Sequence, residues 1–362
     1  KLDDYVIDIH KLITKFDTYD MQIFKDPIKS CLLKKTLNKF ISLEKQYWIQ
    51  TRNDLRILLN VESVVKECIT NKKLKIPVVI NNYTDFYSNQ YHASNMSMIY
   101  RTTRTILQNW YTIPIGYNGR CSSIITADDF DIVNIHRPKG QMIHNDKIVY
   151  CETSKLDFEL EVGIIVGGKC NKIGEVININ DANDNIFGYV ILNDLSARDI
   201  QKYEYVPLGP LNGKNFSTLI SPWIITELAL EPYKCIVPID SRMANYLIPK
   251  TSINYTYPIE LIAEVNGIVV TKTNYNTCYW SPTQLITHIT SSGSNLLPGD
   301  LLGSGTISNG YIGINNSDEM GSLAEITFDG IDGNYLSNGD VLKISAVCGN
   351  VSLGHITCKI TK

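Results

Sequence analysis

The sequence has no apolar run long enough to cross a bilayer: stretches such as Val162–Val166 and Tyr189–Leu192 fall far short of the ~20 residues a membrane helix needs. It has no excess of one charge either. The formal net charge is −3, charged residues make up 20%, and no basic stripe or block of like charge stands out, so nucleic acid and anionic membrane are not expected as partners. None of the nine cysteines forms a CxxC pair, and their spacing is irregular. This disfavours structural zinc and a full disulfide framework, and points to small buried side chains in a reducing compartment. No GxxxxGK[ST] phosphate loop occurs, and there is no internal repeat or low-complexity segment. No charged-then-apolar leader follows Lys1, so a cytoplasmic protein without a secretory signal is expected.

What is there is an ordinary globular composition, 44% apolar over 362 residues. At a prior of ~150 residues per domain this gives two or so domains. Residues 1–80 and 81–362 read differently. Asp4–Phe16 suggests a short strand and a turn of helix. Between Leu32 and Leu59, apolar residues including Leu37, Phe40, Ile41, Trp48 and Leu55 recur at helical spacing. Ile76–Ile80 is a β-branched run ending in Asn81-Asn82, a plausible boundary. Beyond it, Phe158–Val166, Phe187–Asn193, Ile220–Ile225, Ile259–Val270 and Val341–Val347 are short strand-like runs, mostly bounded by Gly, Pro, Asn or Asp. This predicts an α+β fold rather than a doubly wound parallel sheet.

Four segments have residues suited to chemistry. In Asp157-Phe158-Glu159-Leu160-Glu161-Val162, strand alternation puts the apolar residues on one face and Glu159 and Glu161 on the other, roughly 7 Å apart. On a solvated face the pair is polar surface. Lining a pocket, it needs a cation or a proton, and a hard divalent ion suits oxygen ligands. Phe187–Asn193 runs into Asp194, and Ser196-Ala197-Arg198-Asp199 then reads as a capping box opening a helix with Arg198 and Gln201 on one face. If Thr84–His92 is helical, Asp85 and His92 return to one face about 10 Å apart along the axis. Val206–Lys214 is a Gly- and Pro-rich turn that either presents Lys214 at a fixed point or simply connects.

Together these segments resemble the fumarylacetoacetase family. The resemblance rests on TDFYSNQYHASN (84–95), PIGYNGR (114–120), RPKGQ (137–141), LDFELEVG (156–163), NDLSARDIQKYEYVPLGPLNGKNFSTLISPW (193–223) and LLPGDLLGSGTIS (296–308), in that order. The block at 193–223 is the most specific, and the resemblance covers essentially the whole chain. It implies a small SH3-like N-terminal domain, here shortened, before a mixed β-roll catalytic domain, assembled as a homodimer. It implies metal-dependent hydrolysis of a carbon–carbon bond in 4-fumarylacetoacetate, giving fumarate and acetoacetate at the end of tyrosine and phenylalanine breakdown. Carried over by motif, Asp85, Glu159, Glu161 and Asp194 match metal-binding carboxylates for Ca²⁺ or Mg²⁺, and Lys214 and Thr218 match residues near a second, Mg²⁺-type position. His92 matches the general base with Glu325 as its partner. Arg198, Gln201 and Lys214 match oxyanion donors, and Tyr87, Arg101, Tyr117, Thr306, Arg198 and Gln201 match substrate contacts.

The sequence departs from the family pattern in places. The N-terminal part is shorter by several tens of residues, Leu195 and Tyr203 replace tryptophans, and Asn309–Glu319, ahead of the GSLAE stretch that contains Glu325, is longer. Rival readings are an acylpyruvase, a fumarylpyruvate hydrolase or an oxaloacetate decarboxylase on the same scaffold, and a non-catalytic relative. The long YVPLGPLNGK segment and the N-terminal part favour fumarylacetoacetase over the shorter enzymes.

Overall fold

The computed structural model describes residues 6–18, 24–60, 69–70, 74–101, 103–126, 132–315 and 317–362. Asp4 and Cys68 lie outside the described residues. The central sheet runs in the order Gly116–Gly119, Tyr83–Phe86, Leu301–Gly303, Leu160–Val166, Ile186–Asp194, Thr218–Ile220, Ile124–Thr126, with Ile225–Thr226 added beside Ile186–Asp194. A second, five-stranded sheet contains Ile268–Asn274, Glu260–Val265, Val341–Cys348, Val351–Thr361 and Val133–His136.

The main core fills the space between these sheets. Leu160, Val162 and Ile164 on one side meet Leu261, Leu342 and Ile344 on the other, all of them buried. Alternation along Val341–Cys348 is strict, every second residue being buried, as a sheet with one covered face requires. The opposite face of the central sheet is also covered. Helices at Asn38–Ile41 and Lys45–Leu58 bring Phe40, Ile41 and Trp48 onto Ile165, Phe187, Val190 and Leu192 in a second apolar cluster. The Trp48 ring stands edge-on to Phe187 at 5.1 Å between centroids. Lys45 at the start of the same helix pairs with the buried Glu227 at 3.1 Å. Trp48→Ala is therefore expected to destabilise the protein by about 3–5 kcal/mol, the usual cost of deleting a large buried aromatic, as read by denaturant unfolding.

Three runs differ from their sequence reading. Ile259–Val270 is not one strand but a hairpin, Glu260–Val265 and Ile268–Asn274, turning at Asn266-Gly267 with φ of +54° and +79°. Positive φ at both turn residues is what an Asn-Gly pair supplies. Ile220–Ile225 is split at Ser221-Pro222, because proline cannot donate to the ladder. Ile76–Ile80 forms no strand. The Asn38 side chain takes the place of a partner strand there, accepting from Val79 N at 2.7 Å and donating to Val79 O at 2.9 Å.

Candidate functional site

Three acids meet over inner strands of the central sheet. Glu161 is the second residue of the strand Leu160–Val166, and Asp194 closes its antiparallel neighbour Ile186–Asp194. Asp85 stands opposite Gly303 on the parallel strand next door. All three are buried, with one oxygen of each within 4.8 Å of the others. Burial, followed by mutual repulsion, pushes the Asp85 and Glu161 carboxyls well above the ordinary range. Burial also raises Asp194, although Lys214 opposes it. Asp85 Oδ1 and Glu161 Oε1 are buried without a hydrogen-bond partner. Unpartnered buried oxygens on convergent acids are a donor set that fits a hard divalent cation.

The sheet is shaped to this cluster. A Cβ on Gly303 would lie 3.0 Å from Glu161 Oε2 and 3.2 Å from Asp85 Oδ1. Gly303→Ala is expected to weaken Ca²⁺ or Mg²⁺ binding roughly 10-fold or more, as groups supporting metal ligands typically do, with titration calorimetry as the check.

Glu159 shares a face with Glu161, as alternation predicts, but its oxygens are otherwise engaged. Arg198 Nη2 donates to Oε1 at 2.6 Å and Lys214 Nζ to Oε2. Burial alone would raise this carboxyl, yet Lys214 and then Arg198 hold it at about 2. Lys214 Nζ also reaches Asp194 Oδ2 at 2.6 Å, and Thr218 Oγ1 donates to Asp194 Oδ1 at 3.1 Å. The turn leading to Lys214 is tied to the helix before it, since Glu204 Oε1 accepts from Leu211 N at 2.8 Å and Gly213 N at 2.7 Å. Of the two readings of that turn, the fixed presentation of Lys214 is the one observed.

The segment Thr84–His92 is not helical throughout. Tyr83–Phe86 is a strand, and the helix begins only at Gln90, with Asn89 Oδ1 accepting from His92 N at 2.9 Å. Asp85 and His92 thus reach the site from different elements. His92 Nδ1 lies 2.7 Å from Glu325 Oε2. Glu325 accepts three further bonds, from Ser322 Oγ, Asn95 Nδ2 and Ser308 Oγ, each at 2.8 Å. Burial alone would raise Glu325, but His92 and these donors lower it. The longer Asn309–Glu319 segment does not displace the pair.

Arg198 and Gln201 share a helix face, with Arg198 Nη1 donating to Gln201 Oε1 at 3.1 Å. The capping box does not form: Ala197 is the N-cap with no side-chain bond, and Ser196 Oγ donates to Asp194 O instead.

A cavity of about 460 Å³ opens above these groups. Asp85, Glu159, Glu161, His92, Arg198, Gln201 and Lys214 line it, as do Tyr87, Arg101, Tyr117 and Thr306. Asp194, Thr218 and Glu325 lie behind the lining rather than in it. The Tyr87 ring stands edge-on to His92 at 5.4 Å, and Tyr117 OH donates to Asp194 Oδ2 at 3.3 Å. Tyr100 and Tyr205 also line the cavity, although neither has a local signal that sets it apart from the other tyrosines of the sequence.

A histidine–carboxylate pair beside an open cavity lined by acids and cations is suited to adding water to a polarised carbonyl. Comparison with known proteins narrows this class. Residues 78–361 match the family described as fumarylacetoacetate (FAA) hydrolase C-terminal, and residues 1–82 match fumarylacetoacetase N-terminal. The chain is 38% identical to a fumarylacetoacetase of Arabidopsis thaliana, covering 99% of this chain and 89% of that one. It is 36% identical to one of Oryza sativa, covering 94% and 85% respectively. A solved fumarylacetoacetate hydrolase from psychrophilic Exiguobacterium antarcticum aligns with a TM-score of 0.52 at 20% identity, covering 81% of this chain and 80% of that one. The chain belongs to the fumarylacetoacetase family, hydrolases that act on carbon–carbon bonds.

Proposed function

We propose that the protein hydrolyses 4-fumarylacetoacetate to fumarate and acetoacetate. The observation that carries this reading is the buried His92–Glu325 pair at 2.7 Å on the same cavity as Asp85, Glu161, Arg198 and Lys214. In this reading Asp85, Glu159, Glu161 and Asp194 would hold a divalent ion, Ca²⁺ or Mg²⁺, with Lys214 and Thr218 near a second position. Such an ion supplies a Lewis acid that a β-diketone can chelate through two oxygens.

The side chains account for the remaining steps. With Nδ1 engaged by Glu325, His92 presents Nε2 to water and removes a proton as oxygen adds to the carbonyl next to the fumaryl double bond. Arg198, Lys214 and the amide of Gln201 stabilise the tetrahedral oxyanion, at ~3 kcal/mol for a well-placed donor. The carbon–carbon bond then breaks, its electron pair passing to acetoacetate as an enolate that takes back the proton from His92. Arg101, Tyr87, Tyr117 and Thr306 contact the remaining oxygens of the substrate. Two anionic products suit a cavity with Arg101, Arg198 and Lys214 in its lining.

The division at residues 80–81, the homodimer and a cytoplasmic location belong to the same proposal. Irregular cysteine spacing supports a reducing compartment, and light scattering on the purified chain tests the dimer. Among the described residues no helix is long and apolar enough to cross a membrane. The deciding experiment is an absorbance assay of 4-fumarylacetoacetate against acylpyruvates with Mg²⁺ or Ca²⁺ present. A preference of orders of magnitude for an acylpyruvate would overturn the substrate assignment.

A further inference from the structure

Asp157 has no part in the steps above, yet it is fully buried and bonds both to Arg198 and to the backbone just ahead of Glu325. It ends the two-residue strand Leu156–Asp157, which pairs with Ser196–Ala197 just before Arg198. Its carboxylate accepts from three donors. Oδ2 takes Arg198 Nε at 2.8 Å and Ala324 N at 3.1 Å, while Oδ1 takes Leu323 N at 2.6 Å. Leu323 and Ala324 immediately precede Glu325 on the helix Leu323–Ile326.

A guanidinium turns about its Cδ–Nε bond, so a bond at Nε fixes the plane in which both Nη groups lie. Arg198 has five N–H groups. Asp157 takes the one on Nε, Glu159 one on Nη2 and Gln201 one on Nη1, which leaves one on each Nη directed by the first three. The two backbone bonds place that plane in register with the turn from which Glu325 reaches His92. Resting on the hydrolytic reading above, we propose that Asp157 is a positioning residue: it orients Arg198 toward the developing oxyanion and holds the oxyanion side of the site in register with the base side.

Asparagine is nearly the same size but offers one acceptor oxygen and an NH₂ group to three donors, so it cannot keep all three bonds. Asp157→Asn is expected to lower kcat about 10²-fold, as small misplacement of a catalytic group does, with little change in KM and a folded protein by circular dichroism. The discriminating measurement is a cycle with Arg198→Met. If Asp157 acts through Arg198, adding Asp157→Asn to Arg198→Met lowers kcat little further. Equal losses in both backgrounds would mean a general structural role and overturn the proposal.

A second test leaves Asp157 in place and stands even if the variant does not fold. The Arg198 Nε–H signal in ¹⁵N NMR, assigned by its loss in Arg198→Met, is expected to exchange slowly with solvent at neutral pH. Rapid exchange typical of a solvated guanidinium would show that the anchoring bond is absent. Wild-type protein that hydrolyses no diketo acid would sink the functional reading itself, whereas the Nε–H measurement bears on Asp157 regardless of activity.

Discussion

Asp194→Ala is expected to abolish both divalent-ion binding and turnover. Asp194 is the acid on which most of the site converges: Lys214, Thr218 and Tyr117 all bond to it, and it stands within the same 4.8 Å cluster as Asp85 and Glu161. Without it, fewer carboxylates remain for a dication that prefers six or more oxygen ligands, and Lys214 loses the first of three acids, ahead of Glu159 and Asp85, that hold its pKa above the usual lysine value. A fall of about 10³-fold or more follows from losing several kcal/mol of charge stabilisation. Titration calorimetry with Ca²⁺ and Mg²⁺, together with the hydrolysis assay, reads both effects; wild-type affinity in this variant would refute the ligand role. The pH dependence has a definite sign. Burial raises the Asp85, Glu161 and Asp194 pKa values, so without an ion the folded protein retains protons that an unfolded chain has already lost. An ion must displace them, and binding therefore tightens as pH rises through those raised values and releases protons. Titration in buffers of different ionisation enthalpy measures that release.

His92→Ala is expected to leave ion affinity unchanged while lowering kcat about 10²- to 10⁴-fold, the usual range for a general base. The two effects separate because His92 is outside the acid cluster and bonds instead to Glu325, which three other donors fix in place. Retained turnover in His92→Ala would eliminate it as the base, and lost ion affinity would place it on the wrong side of the site.

Side-chain alternation was enough to place Glu159 and Glu161 on one face and Phe158, Leu160 and Val162 on the other, and the structure keeps that division. The i, i+3 spacing of Arg198 and Gln201 likewise places them on one helix face, where the structure has them. Alternation could not distinguish the fates of the two glutamates. Glu161 keeps an unpartnered oxygen, whereas both oxygens of Glu159 are bonded to Arg198 and Lys214, residues 39 and 55 positions away. Asn266-Gly267 was a legible turn inside what read as one strand, and Asn89 was a legible cap that starts the His92 helix late. The partners of Asp157 are not legible locally, because its backbone donors come from 166 and 167 residues further along the chain.

The amino-terminal helices do more than sit beside the catalytic unit. Phe40, Ile41 and Trp48 share one apolar cluster with Ile165, Phe187, Val190 and Leu192, residues of the very strands that carry Glu161 and Asp194. Proteolytic trimming of those helices would leave that side of the sheet bare and sticky. The two parts are accordingly expected to melt in a single cooperative transition, and the pruned remainder to aggregate rather than persist as a smaller working enzyme.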